Sequence, residues 1–270
     1  TLQRMPFTRL ARSLEFGVMM QQAGHLSGDE RYAIAKYLST GQADTRDQWI
    51  EERSCSSKGA LTVDSGFADN WGFGAGNRRS IDTGTSISAA NVADLALKWS
   101  LAIPGATEMR SQPVASNGVL FVGTANGNVL AIDQDSGCIH WRFAADSSIR
   151  SSLNLDTTSD GKGTLFFADD LGTVYAITEN RGLLRWKTSL RWFPTSIISG
   201  SLAFHEDRLF VPISSFETAL AGSDAYPCCR SHGGIVALDA TNGQTIWDYH
   251  TTSRAMAISE TSAGTDVWGP

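Results

Sequence analysis

The sequence predicts an all-β fold, a β-propeller over most of its length, and three observations carry that expectation. The first is an internal repeat that superposes without a gap. Leu130 to Trp141, Tyr175 to Trp186 and Val236 to Trp247 each run as an apolar strand, then Asp or Thr, then Gly four residues on, then Trp four further. The second is the period. Trp99, Trp141, Trp186 and Trp247 recur at intervals of 42, 45 and 61 residues, and β-patterned periods in the forties mark propeller blades, solenoid repeats usually being shorter. The third is composition: 26 Gly and 8 Trp in 270 residues suit many tight turns between short strands and large rings between sheets.

Each element follows in order. Residues 1–41 read as helix, with Leu10, Leu14, Val18, Leu26, Ala33, Ala35, Tyr37 and Leu38 at mixed spacings of three and four. Ser27 followed three on by Glu30 has the form of a capping box opening a helix Gly28–Leu38, and Gly41 is a stop signal. Residues 42–69 read as a polar linker with some helical tendency. From residue 70 onward, apolar runs bounded by Gly, Asn and Asp read as strands and turns. Leu95 to Trp99 is a fourth, partial copy of the repeat. In each full copy the apolar run is a strand buried between neighbouring sheets, the Gly gives its hairpin a positive φ, and the Trp lies against the next sheet.

One interval departs from the pattern. Leu120 to Gly127 and Leu165 to Gly172 are each seven residues apart, but Leu209 to Gly233 is 24. The third repeat therefore carries a long insertion within residues 214–232, and long loops on regular scaffolds usually carry function.

Charge and hydropathy exclude several classes. The 22 basic residues against 28 acidic give a net charge of −6, which disfavours a nucleic-acid or anionic-membrane surface. No apolar stretch is long enough to span a bilayer. A chain that opens on Thr1 and closes on Gly269-Pro270 reads as an internal piece of a longer protein, inactive by itself.

The chemistry-bearing residues are few. The four cysteines, Cys55, Cys138, Cys228 and Cys229, have no metal-binding or haem-attaching spacing. Cys228 and Cys229 could close a vicinal disulfide or stay as thiols. Cys55 and Cys138 could pair in an oxidising compartment, though sequence does not fix connectivity. The five histidines form no metal-binding pair motif, and no Walker loop or nucleophile elbow occurs. Glu217 stands out: an acid in the long insertion, beside the hydroxyls of Ser214 and Ser215. Carboxylate and hydroxyl oxygens suit a hard cation, the competing reading being a solvated loop acid.

The repeat resembles the blade pattern of the pyrroloquinoline-quinone (PQQ) dehydrogenases, eight-bladed propellers. Trp71-Gly72 with Asn77 and Arg79 resembles their entry motif, Leu95 to Trp99 with Pro104-Gly105 their first strand, and Tyr226-Pro-Cys-Cys229 the cytochrome-fused polyvinyl-alcohol dehydrogenase subgroup. The resemblance implies a division into 1–41, the C-terminal part of a cytochrome c domain, 42–69, a linker, and 70–270, about three to four N-terminal blades of the propeller. It implies that Glu217 binds Ca²⁺ beside the quinone. It places Ser199, Ser214 and Ser215 at the cofactor, Arg110 and Arg150 at its carboxylates, Cys228 and Cys229 as a stacking platform, and Met19 on a haem iron. Two departures weaken this. The cysteine pair lies in the third blade, later than in the methanol dehydrogenases, and His232 stands where the subgroup shows Arg. The implied activity is oxidation of a small or polymeric alcohol in the periplasm, with PQQ and Ca²⁺, electrons passing to haem c and on to a cytochrome c or respiratory acceptor. The catalytic base and the CxxCH motif are absent from these 270 residues. A sugar- or aldehyde-oxidising quinoprotein and a non-catalytic propeller scaffold of the outer-membrane assembly type are the alternatives.

Overall fold

The computed structural model describes residues 10, 13–14, 19–23, 26–39, 45–56, 61, 70–73, 79–80, 85–104, 106, 109–221, 231–252, 256–260, 262, 264 and 266–269. Strands dominate. β1 (Val114–Ser116), β2 (Val119–Gly123), β3 (Asn128–Asp133) and β4 (Ile139–Ala144) form one four-stranded sheet in that spatial order. β5 (Asn154–Thr157), β6 (Gly163–Ala168), β7 (Thr173–Thr178) and β8 (Leu184–Ser189) form the second. In the third, the short β9 (Ser196–Ile197) and β10 (Ala203–His205) both pair with β11 (Arg208–Ser215), followed by β12 (Gly234–Asp239) and β13 (Thr245–His250). β14 (Met256–Glu260) and β15 (Asp266–Gly269) pair separately. Every pairing between these strands is antiparallel.

The repeat appears in space as an equivalence of contacts. Gly137, Gly182 and Gly243 have φ of 75°, 64° and 75°, the left-handed region that glycine enters without Cβ strain. Each accommodates a tryptophan from the preceding repeat: a Cβ on Gly137 would meet Trp99, one on Gly182 Trp141, one on Gly243 Trp186, all within 2.9 Å. The indole N–H of each ring donates to the carbonyl just after the Asp or Thr, Trp99 to Gln134 (2.9 Å), Trp141 to Glu179 (3.2 Å) and Trp186 to Ala240 (2.9 Å). A bulge recurs at the matching point of each third-to-fourth strand ladder, between Ala131 and Ile132, Ala176 and Ile177, Ala237 and Leu238. Between the sheets lie two cores. Val114, Phe121, Val129, Leu153, Leu165, Phe167 and Tyr175 join the first sheet to the second. Phe166, Val174, Trp186, Ile198, Val211 and Leu238 join the second to the third.

One expectation needs correction. Leu95 to Trp99 is no strand: it follows a 3₁₀ turn at Val92–Asp94, pairs with no described strand, and leaves Leu95 and Leu97 exposed. An outer strand exists only where an inner one offers it a ladder, and only the Trp99 ring finds its place. Within the stretch read as a linker, residues 45–56 are described and pack on the first sheet. Helix α2 (Thr45–Glu52) sets Trp49 and Ile50 against Leu130, Ile132 and Ile139 of the first sheet. The chain then adds to that sheet's edge: Ser54 makes a parallel bridge to Ile139, and the Cys55 N–H donates to Ile139 O (3.0 Å). A Cys55–Cys138 disulfide fixes the junction. A cross-link across 83 residues stabilises by about 2–4 kcal/mol, mainly by restricting the unfolded chain.

The N-terminal helix α1 (Gly28–Leu38) bears out its sequence signals. Ser27 and Glu30 form a reciprocal capping box, Glu30 N–H to Ser27 Oγ at 3.2 Å and Ser27 N–H to Glu30 Oε2 at 2.7 Å. Leu10, Leu14, Ala23 and Ala35 make a small separate core. Gly41 lies outside the described residues. No helix among the described residues is long and apolar enough to cross a membrane.

Candidate functional site

Antiparallel order decides which loops meet. In each sheet the second strand ends, the third begins and the connection to the next sheet starts at one common end; the Asp/Thr-to-Gly hairpins lie at the other. In the first two sheets the loops at the common end are tight turns at 124–127 and 169–172. Gly127 and Gly172 close them with φ of 79° and 83°. Each turn packs on the inter-sheet connection: Ile149 N–H donates to Thr124 O, Asp170 N–H to Ser148 O, and Leu190 N–H to Gly172 O. Arg110 and Arg150, leading into the innermost strands, therefore stand at this end, Arg110 exposed and Arg150 half-buried.

In the third sheet β11 runs on past the usual turn. Ser214 and Ser215 pair with Ile197 and Ser196 of β9, and the Phe216 N–H donates to Thr195 O (2.8 Å). Ser199 lies two residues beyond β9, half-buried. Glu217 opens a single helical turn, α3 (Glu217–Leu220). Its side chain is not the solvated loop acid of the competing reading: the residue is only 4% exposed. Ser231, on the returning arm, gives its N–H (2.7 Å) and its hydroxyl to Glu217 Oε2. Ser215 Oγ bonds Ser231 Oγ and accepts the Glu217 N–H (3.0 Å). A carboxylate that leaves water must have its oxygens hydrogen-bonded, and Ser215 with Ser231 does this while clipping the two arms of the insertion together at their base.

The structure thus gathers Ser199, Ser214, Ser215 and Glu217 at the end where Arg110 and Arg150 also stand. Cys228, Cys229 and Tyr226 lie outside the described residues. Met19 belongs to the N-terminal helical segment, where its side chain is part-exposed and no described contact assigns it a ligand role. Among the described residues no group of three or more His, Cys, Asp or Glu is gathered as a metal cage.

Two features of this end were not legible in the sequence. Ser231 is invisible as a partner of Glu217 because fourteen residues separate them. Asp169 is the other: a fully buried acid in the second turn, accepting from Leu171 N–H (3.0 Å), Thr173 N–H (3.0 Å) and the Tyr175 hydroxyl (2.8 Å). Its only sequence signal is an acid ending the apolar run Leu165-Phe-Phe-Ala168. Burial, reinforced by the nearby Asp146 carboxylate, outweighs those three donors and raises its pKa to about 7. The folded state therefore binds a proton that the unfolded state, titrating near 4, releases. The stability Asp169 contributes is fully present below pH 4 and is lost as pH rises through 7, on the order of a few kcal/mol. Urea midpoints measured from pH 5 to 8 should fall for the parent and flatten in Asp169→Asn, which keeps the shape without a titrating proton. Parallel curves for the two proteins would contradict this.

The PQQ_2 family, described as outer membrane protein assembly factor BamB, matches residues 79–268. The chain belongs to this PQQ-repeat family. It is 32% identical over 94% of its length to a polyvinylalcohol dehydrogenase from Pseudomonas sp., and 29% identical over its whole length to one from Sphingopyxis sp. (strain 113P3). It spans 42% and 44% of those two proteins. The outer membrane protein assembly factor BamB of Yersinia pestis is 27% identical over 60% of the chain. Among solved structures, the quinohemoprotein alcohol dehydrogenase of Comamonas testosteroni superposes with TM-score 0.56 at 17% identity, covering 83% of this chain and 30% of that one. A europium-containing methanol dehydrogenase gives 0.55 at 19% identity, covering 77% of this chain and 34% of that one. At such identities the match concerns the fold alone: the antiparallel sheets have PQQ-type propellers as their structural neighbours.

Proposed function

We propose that this chain is part of a periplasmic PQQ-dependent alcohol dehydrogenase that oxidises an alcohol, small or polymeric, to a carbonyl and passes electrons to a cytochrome c. The observation that carries the reading is Glu217: a buried carboxylate at the mouth of a blade, held by Ser231 and hydrogen-bonded through its own N–H to Ser215. A blade that served only to scaffold would have no use for a desolvated acid in a long insertion. The N-terminal helical segment supports the same reading, because the dehydrogenase relatives align over 94% or more of the chain and the assembly factor over 60%.

The residues present fit a carboxylate-bearing quinone with a hard cation. Glu217 supplies an anionic oxygen, as a Ca²⁺ ion requires. Ser199, Ser214 and Ser215 line the approach with hydroxyls, and Arg110 and Arg150 offer guanidinium groups to carboxylates. Held by these residues, a quinone would supply a hydride acceptor and a cation a Lewis acid beside it. Cys228 and Cys229, bridged to each other, would supply an apolar platform. None of the residues assigned here is the base; that role falls to a part of the longer relatives beyond the matched region. Residues 1–41 would be the C-terminal part of a haem c domain, with Met19 toward the iron.

Reconstitution tests the reading. The full-length protein, stripped and then loaded with PQQ and Ca²⁺, should reduce a one-electron dye when given an alcohol, and neither PQQ nor Ca²⁺ alone should suffice. No PQQ binding by absorbance, with folding intact, would favour the assembly-scaffold alternative.

A further inference from the structure

Beside the Glu217 loop lies a second cluster that the proposed cofactor contacts do not use. His232 follows Ser231 directly, on the arm that returns to β12. Its Nε2 lies 2.7 Å from Nδ1 of His250, the last residue of β13, and His250 Nε2 lies 3.3 Å from Asp248 Oδ2. Which imidazole donates depends on the tautomers, so the pair can hold its shared proton on either ring. Aromatic rings flank both imidazoles. Trp192 stacks on His250 with centroids 4.0 Å apart, and Phe193 meets His232 edge-on at 4.9 Å. Gly234 makes room for this: a Cβ there would stand 2.7 Å from the Trp192 ring.

The two ends of the chain of groups differ. Asp248 and His250 are open to solvent, their side chains 52% and 38% exposed. The other nitrogen of His232, Nδ1, is shielded from solvent and has no hydrogen-bond partner among the described residues. A shielded ring nitrogen is stabilised by a hydrogen-bonding group, so Nδ1 is a position at which a proton donor can dock.

We propose that His232 and His250, backed by Asp248, form a proton relay from the base of the Glu217 loop to solvent, with His232 Nδ1 as its inner terminus. The proposal rests on the alcohol-oxidation reading. Conversion of a CH–OH to C=O releases two electrons and two protons. The electrons leave to one-electron haem acceptors, and the protons have to cross from a shielded pocket to water. In each passage an N–H bond forms at His232 Nδ1 as the donor's O–H breaks. The shared proton shifts from His232 Nε2 to His250 Nδ1, His250 Nε2 releases one beside Asp248, and each ring then turns over to restore its starting tautomer before the second proton passes. No group in the relay changes oxidation state. Burial, and then the neighbouring His250, hold His232 below the ordinary histidine pKa, which keeps it a neutral carrier at neutral pH. Among the described residues, Arg191 precedes Trp192 and Glu217 lies beyond Ser231, while Arg208 and Asp239 stand at the opposite end of β11 and β12.

The test uses the full-length protein loaded with PQQ and Ca²⁺, assayed by alcohol-dependent dye reduction from pH 5 to 9 in H₂O and D₂O. His232→Gln can keep the bond to His250 but cannot shuttle a proton; His232→Arg gives the residue of the related subgroup, with a fixed charge. Each should lower kcat on the order of tenfold or more near neutral pH, enlarge the solvent isotope effect, and recover with added imidazole. PQQ absorbance per protein should stay at the parent's level. Variants that keep the parent's pH profile and isotope effect would overturn the relay alone. Loss of PQQ in step with activity, without rescue by imidazole, would also overturn it and assign His232 a structural role. A PQQ-loaded parent that oxidises no alcohol would remove the functional reading and the relay together.

Discussion

Trp186→Ala is expected to lower the unfolding free energy by about 3–5 kcal/mol, whereas Trp247→Ala should cost about 1 kcal/mol in the same 270-residue chain. The two rings occupy the same position of the repeat, so the difference isolates what the next blade does. Trp186 is 9% exposed, donates to Ala240 O, lies over Gly243 of the following hairpin and packs near Phe166. Removing it opens a cavity between two sheets and orphans a buried carbonyl. Trp247 is 43% exposed, with Phe210 of its own sheet as its ring neighbour at 6.0 Å. Urea unfolding followed by far-ultraviolet circular dichroism measures both, at dilution that keeps the chain dispersed. Trp186→Phe keeps most of the ring but loses the N–H bond, and should fall between. Equal costs for Trp186→Ala and Trp247→Ala would mean that the rings stabilise their own sheets rather than joining neighbours.

That joining role was readable from the sequence because it depends on residue types with few substitutes. Only glycine enters the left-handed turn at 137, 182 and 243 without strain and leaves room for an indole above it. The Gly-to-Trp spacing therefore reports a three-dimensional contact between successive repeats. Leu95 to Trp99 shows the limit of the same logic. The ring contact of Trp99 is local and survives, but a strand needs a partner, and spacing says nothing about whether one is beside it. The docking of Trp49 and Ile50 was hidden for a related reason: two apolar residues in a charged stretch carry no period. At the candidate site, the length of the insertion and the acid within it were visible, and the structure places Glu217 where an insertion of this kind converges. The clasp by Ser231 was not visible, since serine carries no signal until the loop returns.

Glu217→Gln in the full-length protein is the substitution with the largest expected functional effect. Glutamine keeps the volume and one acceptor oxygen, so the Ser231 N–H can still be satisfied and the loop base should remain closed. What it removes is the negative charge. A carboxylate this buried is shielded from water, and Ser231 meets it with its N–H and hydroxyl. A hard cation would therefore gain more from Glu217 than from an exposed acid, where water screens the pair. The charge change should weaken Ca²⁺-dependent PQQ retention on the order of a hundredfold, and alcohol oxidation with it, while the thermal midpoint stays the same or rises. Titration of the stripped protein with PQQ at limiting Ca²⁺, read by absorbance, gives the first quantity; calorimetry without cofactor gives the second. The pairing of the two readouts separates a ligand from a structural acid. If Glu217 served only to clip the loop, glutamine would keep that clip, and PQQ retention at limiting Ca²⁺ would match the parent's. If it binds the cation, the apo protein holds and high Ca²⁺ recovers part of the retention. A variant that titrates like the parent at limiting Ca²⁺ would sink the assignment of Glu217 as the metal ligand, and with it the strongest support for catalysis at this end of the propeller.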